Sequence, residues 1–339
     1  MTDKPPRFNT EDKLRTIHHF VPQSYLKKFA REDKPNQIWT YEIDREPYSP
    51  SIEGIAGQRD FYTYRDSSSE KETAELENVF ADIDARGANI LRVLDGLPDG
   101  YIDLPEDQKG DLYYYIAHLH TRNLQQRKVL ADAYGQMSKV HMQFAASEKE
   151  TFHEDAKKAL GNRYEEKVVE RVRNTFLKGE AKIDFDPMSE HFIGATLQNA
   201  QDLYFTLMRL KKAAIVSITK GGMHFITSDN PVTHYLEPGD PRKFMGVGYV
   251  NAIFQLPLSP TRALLLIDDA YVIDAFSCNE EHVLHMNVWT CRYADKWVFS
   301  PYNDPSISEL FKKHKAKEPL MRMDSPFNSR ESQQYSKGN

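Results

Sequence analysis

The chain has 339 residues, 40% hydrophobic and 28% charged, with a formal net charge of -6 and a pI near 6.1. That length can bury a core in one large domain or two ordinary ones, and the composition is that of a soluble globular chain. The acidic balance argues against a broad basic nucleic-acid surface while admitting a local basic groove. Cys278 and Cys291 form no CxxC pair, which fits a reducing compartment. Met1 to Thr10 has no apolar run, and nowhere do ~18 apolar residues follow one another. A cytoplasmic chain without membrane association is therefore expected.

Taken in order, residues 1–15 read as a flexible leader. Ile17, His19 and Val21 alternate with His18 and Phe20, the pattern of a short extended segment. Pro22 then suits the first turn of a helix carrying Tyr25, Leu26 and Phe29 on one side. Strands are expected over Ile38–Ile43 and from Gly57 to Tyr64. Leu76, Phe80, Ile83, Ile90, Leu91 and Leu94 recur at helical spacing, which predicts an amphipathic helix over 70–95. Gly96 and Pro98 stop it.

Pro105 opens a second long helix running to about Ala146. Residues 149–178, rich in Lys, Glu and Arg, predict a solvated third helix, and Asp186-Pro187 the start of a fourth. The character then changes. Residues 213–219 and 223–227 around Lys220-Gly221-Gly222 read as a hairpin. Residues 251–258 and 262–267 form a second strand pair, Asn279–Tyr293 a helix and 296–300 a closing strand. The expected fold is α+β: one domain over 16–302, with N-terminal and C-terminal strands in a mixed or antiparallel sheet region and a four-helix insertion between them. The helical part is 70–210, the β-rich part 213–300, and 324–339 a disordered tail.

The first candidate chemistry lies in the opening segment. Consecutive strand residues face opposite ways, so His18 and His19 cannot share one metal ion without a turn. Histidine is the natural general base near neutral pH; the plainer role is ordering the N-terminal segment. The HNH-type nuclease pattern is not matched, since the remainder of that motif is missing. Asp229, in Ser228-Asp229-Asn230-Pro231, follows an apolar strand. There it can present oxygen ligands with Asn230, or simply make a turn. Asp111, Tyr115, His118, Arg122 and Gln125 form one polar stripe, a cleft wall or an inter-helix face. His120 points about 200° away from His118. Glu77 and Asp84 lie on one side of the first long helix, placed to bind a cation or to anchor an arginine of the next helix.

HHFVPQSYLKKF (18–29), Phe61-Tyr62, Glu77 with an acid at 84, FITSDNPV (225–232) and QLPLSP (255–260) together resemble the domain of unknown function 4238 family, over roughly residues 16–302. Asp84 stands where that pattern has Glu. The resemblance implies a bacterial protein of the kind found in anti-phage defence loci, and so an effector acting on nucleic acid or nucleotides.

The expected function is a phosphodiester hydrolase, a nuclease acting on RNA, DNA or nucleotides. His18, His19, Asp229, Arg122 and His118 are its catalytic candidates, and Gln23, Tyr25, Arg59 and Asn230 would bind substrate. His19, Asp229 and Glu77 would hold a divalent metal ion. The alternative is a non-catalytic sensor or binding module of a defence system, with the His-His-x-x-Pro segment a clasp between the N-terminus and the C-terminal sheet. A homo-oligomer is a further partner state to test.

Overall fold

A computed structural model describes residues 17–59, 64–65, 72–73, 75–183, 185, 190–219, 221–236, 251–270, 272–273 and 275–316. The expected flexible leader, Phe61-Tyr62, the Asp186-Pro187 helix start and the 324–339 tail lie outside them.

The described residues divide into two compact units, one from 17–123 and 193–316 and the other within 124–192. The first holds β1 (Ile17–His19), α1 (Gln23–Leu26), β2 (Trp39–Tyr41), β3 (Gly57–Arg59), β4 (Tyr64–Arg65), β5 (Glu72–Thr73), α2 (Glu75–Asp95), β6 (Gly100–Tyr101) and α3 (Glu106–Thr121). The second holds α4 (Leu124–Ser147), α5 (Lys149–Leu160) and α6 (Glu166–Leu177). The first then resumes within α7 (Glu190–Leu210) and continues with β7 (Lys211–Ile218), β8 (Thr227–Ser228), β9 (Thr233–Leu236), β10 (Ala252–Pro257), β11 (Arg262–Asp268) and β12 (Ser277–Cys278). It ends with α8 (Glu280–Tyr293), β13 (Val298–Ser300) and α9 (Pro305–His314).

The fold is α+β. The main sheet runs β12-β7-β11-β10-β9, with β6 also paired to β7. It is antiparallel except for the parallel β12–β7 pair, so it is mixed. N-terminal β2 joins C-terminal β13 and β8 in an antiparallel sheet, while β1 pairs with β3. The expected β10–β11 hairpin is present. The expected 213–227 hairpin is not: β7 pairs with β11, and β8 with β13. The segment between β7 and β8 crosses to another sheet, because Phe225 and Ile226 are buried in two different cores.

The helical insertion also differs from expectation. Its second helix breaks at Arg122–Asn123, where Arg122 leaves helical geometry as the C-cap of α3. Asn123 Nδ2 donates to the His120 carbonyl at 2.7 Å and to Asn230 Oδ1 at 3.0 Å. A side chain that bonds the last turn competes with helix continuation. The third helix is two, α5 and α6, separated at Gly161, whose φ of +53° suits glycine. His153 and Val169 are buried within these two helices, whose faces are otherwise largely exposed.

The packing that positions the candidate site is local and apolar. Phe80, Ile83, Ile90, Leu91 and Leu94 of α2 are buried, as are Leu112, Ile116 and Leu119 of α3. Each such side chain contributes roughly 1.5–3 kcal/mol on burial. The two helices approach closely at Gly87, where a Cβ would lie 2.2 Å from the Tyr115 ring. Arg262 of β11 donates to the carbonyls of Leu94, Asp95 and Leu97, docking the end of α2 on the main sheet.

Candidate functional site

The opening motif is a strand that turns directly into a helix. Phe20 N donates to the Ala56 carbonyl at 3.1 Å, and Pro22 supplies the N-cap of α1. Alternation along β1 separates the histidines as expected: His18 is buried, His19 half-buried. His19 Nδ1 donates to the Ile55 carbonyl at 3.1 Å, and His19 Nε2 accepts from Gln23 Nε2 at 2.9 Å. Together these bonds require the Nδ1–H tautomer and present Nε2 as a lone-pair nitrogen.

Asp84 of α2 lies near enough that a proton on this ring would favour its charged form. Burial raises the Asp84 carboxyl, while the Arg122 guanidinium and His19 pull it down. Arg122 Nη2 lies 2.7 Å from Asp84 Oδ1, and Arg122 Nε donates to the Phe20 carbonyl at 3.1 Å. Arg122 therefore joins the end of α3 to α2 and to the opening segment. The expected role of Asp84 in anchoring an arginine of the next helix is met by this pair.

Tyr115 and His118 occupy the same α3 face and are buried. Burial raises the Tyr115 phenol, with Asp84 adding to the rise. His118 is pushed down to about 3 by burial, with Arg122 adding to the fall. Its ring packs edge-on against Tyr114 at 4.4 Å, and neither ring nitrogen has a hydrogen-bond partner among the described residues. His120 turns the other way, donating from Nδ1–H to the Val232 carbonyl at 3.2 Å and lying 4.9 Å from the His234 ring. Of the expected cleft wall, Tyr115, His118, Arg122 and Gln125 are buried, whereas Asp111 is part-exposed.

Asp229 has a different setting. Its Oδ1 accepts from Asp295 N at 2.8 Å, and its Oδ2 from Lys296 N at 2.6 Å and Trp297 N at 3.0 Å. A carboxylate has about four lone-pair positions, so three are committed to the turn before β13. Burial pushes the Asp229 carboxyl up to about 7, against the pull of these amide donors. Asn230 is equally built in, donating to the Tyr293 carbonyl and accepting from Asn123. Both are turn-forming residues here.

Tyr25 connects the two regions. Its hydroxyl lies 2.8 Å from Thr227 Oγ1 and donates to the Pro257 carbonyl at 2.7 Å. The opening helix thus touches both FITSDNPV and QLPLSP. Clasp and Asp229 loop meet through this hydroxyl, whereas His19 bonds Ile55 and Gln23, and Asp229 bonds the 295–297 turn. Among the described residues no group of three His, Cys, Asp or Glu side chains is placed to hold a metal ion. The Glu77 and Arg59 side chains lie outside the described residues, and we assign no reaction step to a metal.

Asn123, Thr227 and His234 were missed in the sequence. Asn123, polar and next to a buried arginine, carried the only legible signal, as a residue type that ends helices. Thr227 and His234 lie in β strands whose partners are far away in sequence.

Residues 17–304 match the model of the family described as protein of unknown function, DUF4238. The chain belongs to this family. Searches of curated proteins and of solved structures returned no match. In this DUF4238 chain the family match covers the clasp, the Asp84–Arg122 pair and the Asp229 turn alike. No helix among the described residues is long and apolar enough to cross a membrane.

Proposed function

We propose that this chain is a hydrolase whose reaction centre is the half-buried His19–Asp84 pair. The carrying observation is the His19 ring, held by Ile55 and Gln23 in one tautomer with Nε2 as acceptor, close enough to Asp84 for a proton on the ring to favour that carboxylate. In the reaction Nε2 takes a proton from water as the water oxygen attacks phosphorus, the P–O bond to the leaving oxygen breaks, and the imidazolium returns the proton to that oxygen. Asp84 offsets the positive charge that appears on the ring. Gln23, now bonded to Nε2, orients the incoming group when water takes its place. Arg122 acts through Asp84 and is a positioning residue; its Nε and Nη2 are engaged by Phe20 and Asp84.

A purely mechanical tie would gain little from burying these charges. Fully buried ion pairs are often no more stabilising than apolar residues of the same volume. Clusters of titratable groups with displaced pKa values favour a chemical role. The substrate class in this reading is the phosphodiester of RNA, DNA or a nucleotide, and the setting is cytoplasmic anti-phage defence.

The second reading is a non-catalytic binding module of the same defence setting. Tyr25 and Asp229 support it, since both serve as ties between chain segments. One experiment separates the two. Purified protein is incubated with single-stranded RNA and DNA, alongside His19→Ala and Asp84→Asn. The hydrolase reading expects cleavage lowered by about 10²-fold or more in folded His19→Ala. No cleavage by wild type, together with a defence phenotype that survives His19→Ala, sinks it and favours the binding module.

A further inference from the structure

A groove lies on α2, α3 and α7, and its lining does not include His19, Asp84 or Arg122. These helices enclose a groove of about 770 Å³, open to solvent along one side. Its apolar surface comes from Val79, Ile83, Tyr114 and Tyr204. Val79 is 43% exposed, and the rings of Tyr114 and Tyr204 stand perpendicular at 5.6 Å. Its charge is one-sided. Asp82, Glu106, Asp107 and Asp111 line it, with Arg86 as the cation among the lining residues.

Arg86 shows what the groove accepts. Its guanidinium lies 2.9 Å from Asp82 Oδ2 and 3.8 Å from Asp111 Oδ1, bridging the two helices. Glu106 and Asp107, exposed in the first turn of α3, extend the same negative edge. We propose that this groove docks an arginine-bearing, partly apolar segment of a partner protein.

Charge decides against an anion, because the carboxylates repel a phosphodiester. Exposure decides against a lone small cation, since solvated ion pairs contribute little by themselves. Affinity then requires apolar contact alongside the charge, which a chain alternating arginine with aliphatic residues supplies. The Tyr114 and Tyr204 rings offer faces on which a guanidinium can stack.

Gly110 provides an independent handle. A Cβ placed there would meet the Tyr204 hydroxyl at 3.6 Å, an ordinary contact. Gly110→Leu is therefore expected to fill the groove while the helix stays intact. The test measures binding of a short fluorescein-labelled peptide of alternating arginine and leucine to the full chain by anisotropy. Wild type is expected to bind it, and to bind a citrulline-for-arginine version much less. Glu106→Gln with Asp107→Asn, and separately Gly110→Leu, are expected to weaken binding about tenfold or more, with circular dichroism confirming the fold.

Absence of binding to wild type overturns the proposal. So does equal binding of the citrulline peptide, or unchanged affinity in both variants. Spermine displacing the peptide at equal charge concentration would reassign the groove to small polycations. Nuclease activity in wild type and His19→Ala is read separately, so failure here leaves the hydrolase reading standing.

Discussion

His118 shows how burial turns a titratable group into a pH-dependent contribution to stability. Folding holds it neutral, with a pKa pushed down to about 3, whereas an unfolded histidine takes its proton near 6.5. Between those values the unfolded chain binds more protons. The stabilising contribution is therefore complete above about pH 6.5 and is lost as pH falls toward 3. His120, pushed down to about 4 by burial, acts in the same direction. The urea midpoint should thus drop between about pH 7 and about pH 5, and His118→Phe should flatten that slope. An equally steep slope in the variant would show that other groups govern acid lability. Phenylalanine suits the site because the ring contacts there are edge-on to Tyr114 and Phe80.

At the scale of elements, the α2–α3 pair combines its apolar seam with a close approach at Gly87, the Arg122–Asp84 ion pair and the longer Arg86–Asp111 contact. Ala is a better helix former than Gly by about 1 kcal/mol. Gly87→Ala should nonetheless destabilise the chain, because the new Cβ meets the buried Tyr115 ring. A loss of about 1–3 kcal/mol is expected from such overpacking, measured by chemical denaturation. A gain in stability would mean that the ring can yield.

The ion pair behaves differently. Removing Arg122 alone leaves Asp84 partly buried without its guanidinium, at about 3–5 kcal/mol for a fully buried pair and less here, where Asp84 is part-exposed. Arg122→Leu with Asp84→Leu should recover part of that loss. Simple additivity of the two single changes would refute a direct coupling.

For the first unit as a whole, the Tyr25 hydroxyl decides how far the two ends of the sequence fold as one. Its partners, Thr227 and Pro257, lie 202 and 232 residues away. Such contacts bring late-synthesised strands against the opening helix, and they form only after costly loop closure. Tyr25→Phe and Thr227→Val should show a coupling energy of about 1 kcal/mol in a double-mutant cycle. A coupling near zero would mean that the Pro257 carbonyl alone holds the hydroxyl.

The sequence by itself determined what depends on periodicity and neighbours. It specified the α2 seam, the strand alternation that separates His18 from His19, the β10–β11 hairpin and the helix capped by Asn279. It also marked Asp84 as a partner for an arginine of the next helix. Tertiary structure alone decided where the polar groups end. Asp229 has the residue type and strand-end position of a ligand, yet three amides of a turn more than sixty residues away take up its oxygens. The 213–227 segment has the pattern of a hairpin, yet β7 pairs with β11 and β8 with β13, although Val216 and Phe225 share one core and Ile226 enters another. Local preference selects an element. Which donors and apolar faces it meets depends on distant chain, and burial makes leaving them unpaired expensive.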